Sequence, residues 1–422
     1  MSYVIEDRLA TDAELRARAK KVIPGGLYGH QNVASLPPGY PQFMNGGLGC
    51  HVWDADGNEY IDLMCSYGPV LLGHRHPKVE EAAARQSAVA DCQNGPSPLI
   101  VELAEAMTAT VDHGDWAIFS KNGTDATTQC VTIARAATGK RKILVAAGAD
   151  HGAAPWCTPG PAGVLPEDRA HLVEFRYNDL ESVEAAMVEA GDDLAGVVVS
   201  PIRHDIGVDL EAPQPVFARG LRDLCDRAGA VLILDDVRCG LRLHHGSSWE
   251  PLGVAPDLSA WSKAIANGYA LGAVMGTDAL RQAARSIYTT GSFWFAAVSM
   301  AASLATLHVL EEEDTVGRTV AMGTRLRQGL TDQAATRGLH VTLSGPVQMP
   351  FMTFADDHGF TLANAFARGA IAGGVYLHPR HNWFVSGAMD EADVDQVLAV
   401  TDRVFDDVAS GHLDGPGEIL GR

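Results

Sequence analysis

Residues 230–237 read Ala-Val-Leu-Ile-Leu-Asp-Asp-Val, an apolar run that ends abruptly in two carboxylates. A run of this kind is typical of a strand buried on both faces of a parallel sheet. Similar runs recur between about residues 95 and 280, separated by helical stretches, at 116–119, 142–145, 196–199, 231–234 and 270–275. The alternation predicts an α/β fold with a large, mainly parallel sheet and helices on both faces.

The two ends of the chain have a different pattern. Near the start, a helix predicted over 12–22 ends at a Pro-Gly-Gly turn, and two short strands follow at 51–53 and 60–63. After a long helix predicted over 298–312, the chain mixes helices and short strands and ends in a helix over 391–408. We expect a large domain of residues 66–312, with 1–65 and 313–422 building a smaller α+β domain.

Composition excludes several classes of function. A net charge of −20 disfavours binding to nucleic acid or to anionic membranes, because both require a basic face. The seven cysteines form no C-x-x-C pair, which favours free thiols in a reducing cytoplasm. No apolar run reaches membrane-spanning length, and the start lacks signal-peptide order. The histidines have no further ligands at useful spacing, so we expect no metal site.

Two residues 28 positions apart indicate the chemistry. Asp235 closes a predicted buried strand, where open α/β sheets bind ligands. Lys263 lies in the largely apolar stretch Trp-Ser-Lys-Ala-Ile, where loss of hydration lowers the pKa of an amine and frees it for Schiff-base chemistry. Pyridoxal phosphate needs a lysine for its aldehyde and an anion for its pyridinium nitrogen, so the pair predicts this cofactor.

A phosphate site is predicted where a strand runs into a helix over residues 119–138. Asn122, Gly123 and Thr124 fall at the helix start, where free backbone N–H groups and the helix dipole favour an anion. An ordinary N-cap with a turn glycine explains this segment equally well. The chain has no Walker, dinucleotide-binding, zinc-protease or serine-hydrolase motif.

Taken jointly and in order, these motifs resemble those of class III pyridoxal-phosphate aminotransferases, most of all the glutamate-1-semialdehyde aminomutase branch. The resemblance runs through nearly the whole chain. The segments that carry it are 52–62, 66–69, 72–77, 122–127, 235–237 and 262–268. It implies a fold-type I architecture and an amino-group transfer that uses pyridoxal phosphate.

The resemblance also implies roles for single residues. Lys263 would form the internal aldimine and shuttle a proton, Asp235 would keep the pyridine nitrogen protonated, and Val237 would pack against the ring. Residues 288–297 resemble the segment that reaches into the neighbouring subunit. Ser292 stands there at the place of a phosphate-binding threonine. The resemblance therefore implies a homodimer with shared active sites.

Three positions depart from the family pattern. Asp150 stands where an aromatic residue usually stacks on the cofactor, before the pair His151-Gly152. Asp150 then either hydrogen-bonds a polar substrate or positions His151, or the segment is shifted and His151 or Trp156 covers the ring. Ser200 replaces a glutamate near the phenolic side of the cofactor, and Asp205 or His204 is expected to take over. A third difference, Met389 in place of histidine, is interpreted as a packing change.

Substrate-binding candidates come from two further segments. Arg380 is a candidate carboxylate clamp because a guanidinium binds carboxylates through two hydrogen bonds, and Arg203 and Arg242 compete for that role. Tyr28 and His30, with the adjacent Gln31, follow the Pro-Gly-Gly turn and are candidates for the substrate entrance.

The sequence therefore predicts an aminotransferase that acts on small amine and carbonyl substrates. An intramolecular aminomutase is the second hypothesis. A pyridoxal-phosphate decarboxylase, racemase or lyase would need the same lysine and aspartate, and a non-catalytic protein that keeps the fold is a further class.

Overall fold

The computed structural model describes residues 9–29, 32, 36–355 and 357–411. Its strands are β1 (Met44–Leu48), β2 (His51–Asp54), β3 (Glu59–Asp62), β4 (Trp116–Ser120), β5 (Lys142–Ala146), β6 (Leu172–Phe175), β7 (Leu194–Val199), β8 (Val231–Asp235), β9 (Leu258–Trp261), β10 (Gly272–Gly276), β11 (Val341–Ser344), β12 (Phe351–Phe354) and β13 (Val375–Tyr376). Its α-helices are α1 (Ala10–Val22), α2 (Pro77–Ser87), α3 (Leu99–Thr110), α4 (Gly123–Thr138), α5 (Leu180–Ala190), α6 (Pro215–Ala228), α7 (Arg281–Ser286), α8 (Ala297–Glu312), α9 (Thr315–Thr336), α10 (Thr361–Ala372) and α11 (Glu391–Ala409).

The central element is a seven-stranded sheet in the order β4-β10-β9-β8-β7-β5-β6. Strand β10 is antiparallel to both of its neighbours, and the other pairs are parallel. The predicted α/β class with a mainly parallel sheet is confirmed. The five expected strands of this sheet are present, with ends that differ by one or two residues from the predicted ones.

Strand β8 shows how this sheet positions its side chains. Leu232 and Leu234 pack in the cluster that includes the buried faces of α5 and α6, whereas Val231 and Ile233 pack with α4 on the opposite face. Because side chains alternate along a strand, the next odd position, Asp235, faces the side of α4. The end of β8 therefore places the Asp235 carboxylate on the side of the sheet where α4 packs.

A second apolar core joins the two ends of the chain. It combines residues of β2 and β3 with residues of α9, α10 and α11, and β13 adds a parallel strand to the four-stranded sheet β1-β2-β3-β13. Met389 is buried in this core, as expected for a packing residue. The domain boundaries at residues 65 and 312 stay a prediction.

Across residues 9–29, 36–355 and 357–411, no helix combines the length and apolar composition needed to cross a bilayer.

Candidate active site

Asp235 forms the floor of a cavity at the carboxyl end of β8. Its Oδ2 lies 2.6 Å from Nδ1 of His151, and its Oδ1 accepts the backbone N–H of Val237 at 3.2 Å. Both side chains of this His–Asp pair are buried. The pair fixes the orientation of the carboxylate, which agrees with a residue that must meet a ligand at one defined atom.

Asp236 points away from this cavity and has a structural role. Its carboxylate accepts hydrogen bonds from the Ser247 hydroxyl and from the Ser248 backbone, both at 3.0 Å. Burial raises the pKa of Asp236 to about 6 although these donors oppose the shift. Alternation along the chain thus separates the two adjacent carboxylates.

Lys263 enters the same cavity from the loop between β9 and β10. Its backbone has a φ of +50°, a left-handed conformation that lysine rarely adopts and that is typical of functional positions. Burial, and then the nearby cation of Arg238, lower the pKa of Lys263 to about 7, although the Asp235 and Asp150 carboxylates oppose them. A substantial fraction of this amine is therefore neutral near pH 7.

The start of α4 forms the third wall. Asn122 caps the helix, its side chain accepting the backbone N–H of Asp125 at 2.9 Å. Gly123 is required for close packing, because a Cβ there would lie 2.7 Å from Val237 Cγ1. The backbone N–H groups of this first turn have no partner within the helix and favour a phosphate.

The loop of residues 150–153 is hydrogen-bonded to this helix. The Thr124 hydroxyl accepts the backbone N–H of Ala153 at 3.0 Å, and the Thr127 hydroxyl donates to the His151 carbonyl at 2.8 Å. Gly152 has a φ of +127°, and a Cβ there would meet Thr124 Oγ1 at 2.4 Å. The loop can approach the helix only because this residue is glycine.

A cavity of about 280 Å³ lies between Asp235, Lys263, the start of α4 and the 150–153 loop. It brings together eight of the predicted site residues: Asn122, Gly123, Thr124, Asp150, His151, Asp235, Val237 and Lys263. The other lining residues are Gly152, His204, Arg238 and Ser262. Residues separated by more than 100 positions in the sequence thus converge at one edge of the sheet, as expected for ligand sites in α/β folds.

The alternatives for the 150–156 segment are resolved in part by this geometry. Asp150 and His151 both line the cavity, and Asp150 accepts the Gly152 N–H at 2.9 Å. Trp156 stacks on the His151 ring at 6.3 Å and donates to Thr128, which places it behind the histidine. The segment therefore presents a carboxylate and an imidazole to the cavity.

Several predicted residues lie elsewhere in the monomer. Asp205 pairs with Arg203 at 3.0 Å, beside Gly148, and burial raises the pKa of its carboxyl. Arg380 places its guanidinium 5.2 Å from the centre of the Phe360 ring. None of these three charged residues is among those that line the cavity, in the part of the chain described. Their binding roles stay predictions.

The remaining candidates do not line the cavity in the part of the chain described. Tyr28 and Ser292 are exposed. His30 and Gln31 fall outside the described residues. Arg242 is fully buried and donates to the carbonyls of Gly68 and Val385, so it is a structural arginine of the interior.

Sequence reasoning missed Arg238 and left His204 only as an alternative. Arg238 follows Val237 directly. The available signal was a cation in the largely apolar stretch Val-Arg-Cys-Gly-Leu, three residues after the carboxylate that ends a strand. Both side chains are buried and line the cavity. Burial lowers the pKa of His204 well below its usual value, so this imidazole is neutral.

The residues of the cavity fit pyridoxal phosphate. An amine with lowered pKa, an oriented carboxylate and a helix start with free N–H groups supply what its aldehyde, ring nitrogen and phosphate require. The buried His151 Nε2 has no hydrogen-bond partner among the described residues, which leaves a polar atom available at this site.

Comparison with known proteins supports the same assignment. The family model for class III aminotransferases matches residues 36–382. An aminopentol aminotransferase of Sphingopyxis macrogoltabida is 47% identical over 392 residues, 93% of each chain. A glutamate-1-semialdehyde 2,1-aminomutase of Desulfatibacillum aliphaticivorans is 33% identical, covering 93% of this chain and 98% of its own.

A solved structure extends the likeness to the fold. The FumI protein of Sphingopyxis sp. MTA144, in its PLP internal aldimine form, superposes with a TM-score of 0.95 and 46% identity, covering 97% of this chain and 99% of that one. The resemblance drawn from the motifs is confirmed.

Proposed function

This chain belongs to the class III aminotransferase family, and we propose that Lys263 and Asp235 carry out its pyridoxal-phosphate-dependent transfer of an amino group from an amine to a carbonyl compound. The observation that supports these roles is the cavity itself, which holds a lysine amine of pKa about 7 together with a carboxylate fixed by His151.

Each residue has a defined task in this proposal. Bound pyridoxal phosphate supplies an electron sink for the pair left by the broken C–H bond of the substrate. Nζ of Lys263, with a pKa of about 7, is neutral in about half of the molecules at pH 7 and so can accept that proton and return it to another atom. Asp235, whose orientation His151 fixes, holds a proton on the ring nitrogen. Asn122, Gly123 and Thr124 receive the phosphate at the start of α4.

Transfer between two separate substrates is favoured over an intramolecular aminomutase. The aminopentol aminotransferase is 47% identical to this chain, whereas the aminomutase named above is 33% identical. We propose an amino alcohol of the aminopentol type as the first donor to test. Asp150 supports a polar donor, because it places a carboxylate, which accepts hydrogen bonds from hydroxyl groups, on the cavity wall.

We further propose a cytoplasmic homodimer with shared active sites. The segment before α8 exposes Tyr288, Phe293 and Phe295 around Ser292. Clustered exposed aromatic side chains favour burial against a partner. All seven cysteines are free, which suits a reducing compartment. Light scattering would test the dimer, and mixing Lys263→Ala with Ser292→Ala subunits would test sharing, because each hybrid should contain one intact site and exceed the turnover of the less active variant's homodimer.

The function is tested by a half-reaction. Purified enzyme loaded with pyridoxal phosphate is mixed with an aminopentol-type amine, and mass spectrometry follows the ketone or aldehyde product and the pyridoxamine phosphate formed in equal amounts. Lys263→Ala is the control and should form neither product at a comparable rate. A wild-type enzyme that released carbon dioxide or racemised an amino acid, without forming pyridoxamine phosphate, would contradict an aminotransferase.

A further inference from the structure

Cys50, His51 and Asp393 form a cluster of possible metal ligands outside the cavity at the carboxyl end of β8. The Cys50 sulfur, a ring nitrogen of His51 and a carboxylate oxygen of Asp393 all lie within 4.8 Å of one another. None of the three lines the cavity of Lys263, in the part of the chain described. The cluster is therefore a separate candidate site.

The spacing of these atoms is close to that of a tetrahedral metal site. His51 Nε2 lies 3.3 Å from Asp393 Oδ1. Two ligands at ordinary zinc–nitrogen and zinc–oxygen bond lengths are about 3.3–3.4 Å apart when they subtend a tetrahedral angle. The Cys50 sulfur is no more than 4.8 Å from either atom. A shift of roughly 1 Å or less brings it to about 3.6 Å, the separation that a zinc–sulfur bond requires in the same geometry.

Neighbouring groups hold two of the ligands in place. Oδ2 of Asp393 accepts the Asp390 backbone N–H at 2.9 Å in the cap of α11, which leaves Oδ1 beside His51. The His51 ring stacks on Trp53, with ring centres 6.4 Å apart. Its Nδ1 lies 3.0 Å from Oε1 of Glu59, and although this contact is not aligned as a hydrogen bond, the half-exposed Glu59 side chain can rotate into line. A carboxylate on the second ring nitrogen is the usual support of a histidine that binds metal through the first.

The charges around the cluster suit a cation. Glu59 and Asp393 form ion pairs with no lysine or arginine of the described residues, and His51 lies between them. The positive end of the α11 dipole opposes a cation, but the N-cap Asp390 and the first-turn Glu391 offset it. One imidazole thus faces two carboxylates, whose excess negative charge a divalent ion neutralises.

The three ligands differ in access to solvent. Cys50 is 3% exposed, whereas the side chains of His51 and Asp393 are 29% and 17% exposed, so an ion can approach from the side of the histidine. Burial and the Asp393 carboxylate raise the pKa of the Cys50 thiol, which therefore keeps its proton in the metal-free protein. When a metal binds, the S–H bond breaks, the proton passes to solvent and the sulfur bonds to the metal.

We propose that Cys50, His51 and Asp393 bind a single divalent transition-metal ion of the zinc type, with water as the fourth ligand. Zinc accepts sulfur, nitrogen and oxygen ligands, whereas magnesium and calcium prefer oxygen alone. The ion connects the turn before β2 with the first turn of α11, and both elements contribute to the apolar core built from the two chain ends. Its role is to stabilise that core, independently of amino-group transfer. The sequence alone predicted no metal site, because Asp393 lies 342 positions from His51.

The first test is zinc binding to the cofactor-loaded enzyme. The protein is stripped of metal with a chelator, and calorimetry measures the stoichiometry and the Kd of Zn²⁺. The wild type should bind one ion tightly per chain. Cys50→Ser, His51→Gln and Asp393→Asn should each weaken binding by more than the about tenfold to hundredfold expected for Glu59→Gln, which alters only the outer carboxylate. Cys92→Ser, which changes an exposed free cysteine, is the matched control and should keep the wild-type Kd.

The second test identifies the ligands by spectroscopy. Co²⁺ replaces Zn²⁺, and the spectrum of the metal-free loaded enzyme is subtracted. Four-coordinate cobalt with a thiolate ligand gives d–d bands at the red end of the visible range, where the cofactor does not absorb, and a sulfur-to-cobalt charge-transfer band. Cys50→Ser should lose the charge-transfer band. The melting temperature of the wild type, but not of Cys50→Ser, should rise with added Zn²⁺, because the ion binds the folded chain preferentially.

The outcomes are separable. A wild type without a tight zinc site overturns the proposal and leaves His51 in a simple ion pair with Glu59 and Asp393. An unchanged Kd in all three ligand variants also overturns it, and a zinc-induced shift of the cofactor absorbance would then place the ion in the cavity of Lys263. If Cys50→Ser does not fold, His51→Gln at a partly exposed position carries the same test. The half-reaction tests amino-group transfer separately, so failure of one proposal leaves the other standing.

Discussion

The amine of Lys263 should lose its proton at a much lower pH than a solvent-exposed lysine of this protein. Burial and the charge of Arg238 lower its pKa to about 7, against an ordinary value of about 10.4 for lysine. Raising the pH of the cofactor-free enzyme from acid to alkaline should therefore deprotonate Lys263 long before a solvent-exposed lysine.

The size of the effect follows from those two values. At pH 7 about half of the Lys263 amine is neutral, whereas an ordinary lysine is neutral in only about 0.04% of molecules. Because only the neutral amine attacks an aldehyde or an acylating reagent, its availability is raised about a thousandfold.

Competitive acylation measures this directly. The cofactor-free enzyme is labelled with a trace of acetic anhydride at several pH values, and mass spectrometry reports the label on each lysine. Lys78 is an internal control, because it is exposed and its pairing with Glu312 raises its pKa. A labelling midpoint for Lys263 that coincides with that of Lys78 would refute the reasoning.

Three further substitutions test single contacts. Asp235→Asn removes the negative charge of the carboxylate that His151 orients. The rate constant kcat of the half-reaction should fall by about a hundredfold, as for loss of one preorganised electrostatic group. Gly123→Ala places a Cβ 2.7 Å from Val237 and should destabilise the protein by about 1–3 kcal/mol, measured in urea, and weaken cofactor binding. Asp150→Asn should keep cofactor affinity but raise KM for a hydroxylated amine more than for an alkylamine. An unchanged kcat, stability or KM ratio, respectively, would contradict each one.

The parts of the site predicted from the sequence are those with local signals. The apolar run of β8 fixes where Asp235 emerges, and the helix start at Asn122 marks a phosphate site because its capping chemistry is contained in a few residues. Strand β9, which carries the chain to Lys263, was not predicted, since Leu258–Trp261 is short and includes a serine. The site was nevertheless recognisable from the residues around Lys263.

The parts that sequence reasoning missed depend on tertiary contacts. Arg238 becomes a cavity residue because Asn382, 144 positions away, and the His204 carbonyl hold its guanidinium. Arg380 and Arg242 carry the same side chain, yet one lies over a phenyl ring and the other binds interior carbonyls. Residue type alone cannot distinguish these three arginines, because their roles are set by what the fold brings beside them.

The most direct measurement asks which nitrogen holds the cofactor. Loaded enzyme is reduced with borohydride and digested, and mass spectrometry locates the phosphopyridoxyl group. The group is expected on Lys263, whose amine has the lowered pKa and opens onto the cavity. A label on any other lysine, with Lys263 unmodified in fully loaded protein, would contradict the assignment of the active site.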